Sequence, residues 1–463
     1  MTKHIPSINE LVKFFEHQKE NDDLSYFSDE DFISIINYYL DLDQNEEALE
    51  AGIIANKKIP YNIELMILLA KAQCLQREFE EAIELLERAI LIDPNNPDIH
   101  YLLGTTYDEI SESEMAIEHF DKVLSIRKTH QDDVYFAKAL VYIHDDNFEE
   151  ALICLKRALK NNPLSEEAIL ELVNCCLETE EMLDILLFYE NIVDKDPYNH
   201  LLWNNYGLLY DYFEMHEKAI EIFELSTSLK DKYAETYYLL GNACINAEKY
   251  QKAIASHLKA IELGKTDYFT YSQIGLCYTF LENFDEASIY FKRSIEIEPD
   301  FAEGWYGLGM VSENKAENLK AIEYFKKAIT LNPSNDKFYY ELAISYSLLS
   351  KEKETLDSFQ KALELNPFLI EAWIDYSLFL LEWGKTAEAI NSLIEGINLN
   401  PENAELHYVI SGILFDKGLN TRGQFYLEKA LKIDPEASKL LFEIFPYLYS
   451  NDTIIHLISN YQK

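Results

Sequence analysis

Residues 287–299, ASIYFKRSIEIEP, and residues 321–333, AIEYFKKAITLNP, are two versions of one phrase set 34 residues apart. The phrase recurs as AIELLERAILIDP at 82–94 and AINSLIEGINLNP at 389–401. Prolines stand at Pro299, Pro333, Pro367, Pro401 and Pro435 in an unbroken 34-residue step. Backwards, the step meets Lys265, Asp231 and Pro197, takes up one extra residue near Pro163, and resumes at Pro94 and Pro60. A period in this range marks a solenoid whose stacked units share one core. It overrides the about three globular domains that length alone would suggest.

One unit, 300–333, gives the local structure. Trp305, Leu308, Gly309 and Val311 fall at helical spacing and form one stripe of a first helix. A polar stretch, Glu313 to Asn318, interrupts the pattern. Ala321, Ile322, Phe325, Ala328 and Ile329 then form the stripe of a second helix. Asn332-Pro333 ends it, because the residue before proline is pushed out of helical geometry. Small residues recur at one phase (Ala70, Gly104, Gly207, Gly241, Gly275, Gly309, Ala343) and alanine at another (Ala48, Ala82, Ala116, Ala151, Ala219, Ala253, Ala287, Ala321, Ala389). Glycine inside a helix costs about 1 kcal/mol against alanine, so its recurrence implies close helix approach. Trp203, Tyr237, Tyr271, Trp305, Tyr339 and Trp373 occupy one bulky phase, and Phe120, Tyr189, Phe223, Phe291, Phe325 and Phe359 a second.

This pattern of aromatic, Leu-Gly and tyrosine, then Ala…Phe…Ala, then proline, resembles the tetratricopeptide repeat family. Residues 203–210 (WNNYGLLY), 219–226 (AIEIFELS), 237–241 (YYLLG) and 305–309 (WYGLG) carry the resemblance. Twelve units run from 27–60 to 402–435, with the extra residue in 129–163. The expected fold is all-α, an α-α superhelix of stacked helix-turn-helix units, with capping helices at 1–26 and 436–463. Unit 164–197 departs from the pattern, with Ile185 and Ile192 where alanines are expected, and Gly423 replaces the first alanine of 402–435. The stretches SINE (7–10) and SDED (28–31) read as helix-starting capping boxes. The apolar tail around Leu440–Tyr449 is expected to close the core, with self-association through 436–463 as the alternative.

Acidic residues number 82 against 40 basic, a formal net charge of −42. Such a surface repels nucleic-acid phosphates and anionic lipid headgroups, and attracts neutral or basic partners. The six cysteines show no CxxC, which suits free buried thiols in a reducing compartment. MTKHIPSINELVKFF breaks any signal-peptide core, and no apolar run approaches the ~18 residues of a membrane span, so a cytoplasmic protein without membrane insertion is expected.

Chemistry is sparse. The GKT tripeptides at 264–266 and 384–386 lack the upstream glycine of a phosphate loop, with Lys259 and Phe379 in its place, and turn glycines account for both. Gly304, Gly307 and Gly309 follow no strand, and no histidine sits at metal-ligand spacing. His257 stands in the phenylalanine phase and reads as a core-edge substitute rather than a base. No enzyme, cofactor or metal site is expected.

The family resemblance implies a groove lined by first helices. The residues that would face it are Tyr101, Thr105, Asp108, Glu109, Asn205, Tyr212, Tyr238, Asn242, Asn246, Tyr306, Glu313, Tyr340, Glu341, Asp375, Glu382, Tyr408 and Asp416. Asparagine can bond both groups of a peptide backbone, tyrosine gives flat contact with a polar tip, and carboxylates favour lysine or arginine. Relatives that grip acidic chaperone tails use cations in this groove. Here Tyr101, Tyr238, Tyr306, Glu341 and Asp375 occupy the matching sites, which argues against that ligand. The expected function is a protein-interaction scaffold that takes an extended or helical, neutral-to-basic segment of a partner protein. A holding chaperone or carrier for basic or apolar client proteins and a regulatory subunit of an enzyme complex are the alternatives.

Overall fold

The structure, a computed structural model, describes residues 7–20 and 25–461. Residues 1–6, 21–24 and 462–463, parts of the two expected caps, lie outside the described residues. All regular structure among the described residues is helical, in two compact units, Met1–Asp231 and Lys232–Lys463.

The first unit opens with α1 (Ile8–Glu20). Six hairpins follow: α2 (Asp29–Asp41) with α3 (Asn45–Lys58), α4 (Ile63–Leu75) with α5 (Phe79–Ile92), α6 (Pro97–Glu109) with α7 (Ser113–Ile126), α8 (Asp132–His144) with α9 (Phe148–Asn161), α10 (Glu166–Thr179) with α11 (Met182–Val193), and α12 (His200–Tyr212) with α13 (His216–Leu229). The second unit has six more: α14 (Ala234–Asn246) with α15 (Tyr250–Glu262), α16 (Tyr268–Phe280) with α17 (Phe284–Ile297), α18 (Ala302–Asn314) with α19 (Asn318–Leu331), α20 (Asp336–Leu348) with α21 (Glu352–Leu365), α22 (Ile370–Glu382) with α23 (Thr386–Leu399), and α24 (Ala404–Asp416) with α25 (Asn420–Ile433). The short helices α26 (Lys439–Ile444) and α27 (Asp452–Tyr461) end it. Within each unit every hairpin stacks on the next.

The boundaries follow from local chemistry. Many first helices begin at a polar residue whose side chain accepts a backbone N–H: Ser28, Asn62, Asn96, Ser165, Asn199, Asp267, Asn335 and Asn403. Ser28 and Asp31 complete the capping box read in the sequence. Each hairpin turn holds one residue in the left-handed region, from Asp43 and Arg77 to Gly384 and Gly418, with φ between 54° and 73°. Only the last two of these twelve are glycines. The first GKT glycine, Gly264 (φ 106°), instead joins α15 to α16.

Packing follows the predicted knob-and-notch order. A Cβ built on Gly309 would lie 2.4 Å from the Phe325 ring, and one on Gly207 2.6 Å from Phe223, so only hydrogen fits where α18 meets α19 and α12 meets α13. His257 takes the phenylalanine place against Gly241, fully buried with neither ring nitrogen hydrogen-bonded, and burial lowers its pKa to about 4. In the departing hairpin Ile185 and Ile192 are buried, and Tyr189 stacks on Tyr206 and donates to Pro163 O at 2.6 Å. At the other end Leu441, Phe445, Leu448, Ile454 and Ile458 close over α24 and α25, with Phe445 seated where Gly412 has no side chain. All six cysteines are free, and burial pushes Cys175 to about 11 and Cys277 to about 12.

Candidate functional site

The first helices α18, α20 and α22 bring five of the expected residues together. Glu313 accepts from the Ser345 hydroxyl at 2.8 Å. Glu341 lies within hydrogen-bond reach of both Glu313 and Tyr306, and the Tyr340 hydroxyl donates to Asp375 at 2.6 Å. Burial, then the neighbouring Glu313 carboxylate, raises Glu341 to about 7. Glu313 and Asp375 are also raised, again chiefly by burial, while the hydrogen bonds from Ser345 and Tyr340 pull them back. Burial raises Tyr306 and Tyr340 too, and their acidic neighbours add to it. As pH falls through about 7 the Glu313–Glu341 pair therefore begins to take up a proton, at Glu341. Such a group can accept a cation or give up that proton; it contains no nucleophile activated by a base.

The other candidates fall into smaller groups. Tyr238 is wedged among His257 (5.7 Å between rings), Phe269 (6.5 Å) and the Lys265 ammonium, 4.3 Å above its ring. Asn242 reaches Tyr238 but leaves its buried Oδ1 without a partner. In the first unit Thr105 and Glu109 line a cavity of about 290 Å³, where Cys74 meets Thr106 at 3.2 Å. Asp108 bonds His144 at 3.0 Å, Tyr101 packs edge-on against Phe120, and Thr105 spends its hydroxyl on Leu102 O. Tyr212, Asn246 and Glu382 are exposed.

Two candidates are corrected. Tyr408 is fully buried and its hydroxyl donates to Asp434 O at 2.7 Å, because the α26 cap covers α24. Asn205 is buried as well, its amide donating to Pro163 O at 3.3 Å in the connection between α9 and α10. Asp416 is spoken for by Tyr447 and Lys417. Sequence reasoning missed Ser345 and Lys265. Ser345 lies in the unit after Glu313, and Lys265 stands at the unit-ending position of Tyr238's own unit, where most units have proline.

A family profile described as Tetratricopeptide repeat matches residues 97–130, 132–163, 201–233, 234–265, 270–301, 302–335, 370–403 and 404–436, and one described as TPR repeat matches 71–110. The chain belongs to the tetratricopeptide repeat family. Residues 164–200 and 336–369 fall between matched stretches of this tetratricopeptide chain, yet they form α10–α11 and α20–α21 like the rest.

Among curated proteins it is similar to Anaphase-promoting complex subunit 3 of Schizosaccharomyces pombe, 22% identical over 263 residues, covering 56% of this chain and 34% of the relative. It is also similar to the BBSome complex member BBS4 homolog of Drosophila melanogaster, 24% identical over 254 residues, 54% and 44% of the two chains. The chain thus spans less than half the length of these relatives. A solved structure, the APC/C hetero-tetramer Cut9-Hcn1, is 16% identical, covers 89% of this chain and 99% of its own, and has a TM-score of 0.43. Among the described residues no helix is long and apolar enough to cross a membrane, and no group of three or more histidine, cysteine or carboxylate side chains could hold a metal.

Proposed function

We propose that this tetratricopeptide chain is a non-enzymatic scaffold that takes a neutral-to-basic, extended or helical segment of a partner protein on the first-helix face of its second unit. The observation that carries the reading is the carboxylate–tyrosine group of Glu313, Glu341, Asp375, Tyr306 and Tyr340. Half-buried carboxylates with raised pKa values gain from an incoming lysine or arginine, which replaces lost solvation with charge-assisted hydrogen bonds. The net charge of −42 adds long-range attraction for the same class of partner. Relatives that carry the names of complex members support an adaptor within an assembly, over a holdase with many clients.

The test is affinity capture from native lysate with the wild-type chain and with Asp375→Asn/Glu313→Gln, both checked by circular dichroism. A partner held at fixed stoichiometry by the wild type, weakened by the variant and released as salt rises towards ~1 M, where screening shortens to about 3 Å, supports the proposal. Capture that ignores both salt and substitution overturns it, and capture of many unfolded clients favours the holding chaperone. Self-association through 436–463 would rest, among the described residues, on the exposed Tyr447, Tyr449, Ile455 and Tyr461, since Leu441, Phe445, Leu448, Ile454 and Ile458 are folded inward.

A further inference from the structure

The register of the second unit exposes one hairpin that lacks both a covering ring and a cation, where every other hairpin has at least the cation. On the first helices Tyr237, Tyr271, Trp305, Tyr339, Trp373 and His407 recur every 34 residues. A ring from the second helix covers three of them: Tyr290 lies against Tyr271 at 6.4 Å, Tyr324 against Trp305 at 6.0 Å, and Tyr426 against His407 at 6.0 Å. Three residues further along the second helices runs a cationic column, Lys259, Arg293, Lys327, Lys361 and Lys429, and the Lys327 ammonium sits 6.0 Å from the Trp305 ring. Hairpin α22–α23 has neither device. Ser392 stands where the rings stand, as Ser256 and Ser358 do in two other hairpins, and Glu395, alone in its column, stands where the cations stand.

The result is a partly open cavity of about 630 Å³ between α21 and α23, with α22 as its floor. That volume is within the ~300–1,000 Å³ of ordinary ligand sites. Trp373 and Tyr376 form the aromatic floor, and Glu364, Glu388 and Glu395 stand at the mouth, with no lysine or arginine in the lining. The Trp373 indole N–H is spent on Pro367 O at 2.9 Å, so the ring is fixed and has no donor to give; it is 5% exposed and meets the cavity with that small part of its surface. Two of the carboxylates have nearby cations: Glu364 pairs with Lys361 at 2.9 Å, and Glu388 lies 3.9 Å from a Lys385 that sits closer, 2.6 Å, to Glu352. Glu395 has no ion pair among the described residues. An aromatic floor under a ring of carboxylates attracts an organic cation through both the ring quadrupole and direct charge.

We propose that this cavity receives a lysine or arginine side chain from a partner protein, its aliphatic stem over Trp373 and its charged head among Glu364, Glu388 and Glu395. The chain itself shows the arrangement one way round, with Lys327 over Trp305. At Trp373 the cation has been exchanged for an acid, and the place is left for one from outside. Asp375 and Glu382, on the same helix, are not among the walls, so the site stands independently of the first-helix reading.

The test uses the full chain labelled with fluorotryptophan, whose four resonances are assigned by Trp373→Phe and its counterparts. Blocked Gly-Lys-Gly, Gly-Arg-Gly, the neutral isostere Gly-norleucine-Gly, and spermidine are titrated in turn. The Lys and Arg peptides should shift the Trp373 resonance saturably while Trp203, Trp305 and Trp383 stay still. Glu395→Lys should weaken this at least tenfold and Ser392→Tyr should abolish it, each supplying a residue that neighbouring hairpins already carry. No shift, an equal shift with the norleucine peptide, undiminished binding by Glu395→Lys, or binding of spermidine alone would each overturn the proposal.

Discussion

Replacing Glu341 by glutamine should change how the stability of the second unit depends on pH. In the folded chain the Glu341 carboxyl releases its proton at about 7, against an ordinary 4.5, because burial and then the Glu313 charge disfavour the anion. A carboxyl raised by folding binds its proton more tightly in the native state. Its contribution is therefore complete below about pH 4.5 and is lost as pH climbs through about 7. Moving the midpoint from 4.5 to about 7 corresponds to ~3 kcal/mol, which belongs to the coupled Glu313–Glu341 pair rather than to one residue. Glutamine keeps a donor towards Glu313 and never ionises. Glu341→Gln should thus match the wild type within ~1 kcal/mol near pH 5 and exceed it by ~2–3 kcal/mol near pH 8.

Urea titrations followed by far-ultraviolet circular dichroism at four pH values give the comparison. Amide exchange in α18 and α20 localises it, since stacked repeats need not unfold in one step. Because other carboxylates titrate alike in both proteins, only the difference between them matters. A difference that stays flat from pH 5 to 8 would refute the reasoning, and with it the picture of a proton taken up at Glu341 beside Glu313.

Four further outcomes follow from particular contacts. Gly309→Ala places a carbon 2.4 Å from Phe325 and should cost ~1–3 kcal/mol in urea unfolding, partly recovered by Phe325→Leu. Ala316→Gly removes a Cβ from a turn at φ 57° and should raise the unfolding free energy by ~0.5–1 kcal/mol, the relief of left-handed strain exceeding the entropy lost to glycine. Tyr408→Phe deletes the bond to Asp434 O and should cost ~1 kcal/mol while leaving partner capture unchanged, because the ring is buried. A thiol reagent should label Cys74 first in the native chain and the five buried cysteines only on unfolding, as read by mass spectrometry of digested protein.

The fold was legible because the repeat restates it in each unit: an aromatic knob and a small notch recur at fixed phase, and one misreading would have to be made many times over. Even His257, the one histidine in the phenylalanine column, could be placed correctly from its register alone. The candidate site was legible only in part, because facing a groove and packing against the next hairpin are both available to the same position. Tyr306 and Tyr340 keep their polar tips among carboxylates, whereas Tyr408, at the identical phase, is sealed by Phe445 and α26, which exist only at the end of the array. Asn205 was lost in the same way, to a carbonyl in the α9–α10 connection. What a single unit cannot encode is its neighbour's side chain, and every correction here arose between units.

The information was nevertheless in the sequence in another form. Reading down a column instead of along a unit shows where one member breaks rank, as Glu395 does among five cations. In a repeat protein the conforming residues build the scaffold. The exceptions mark places where the scaffold alone gives no reason for the residue, and such places are where binding specificity can be looked for.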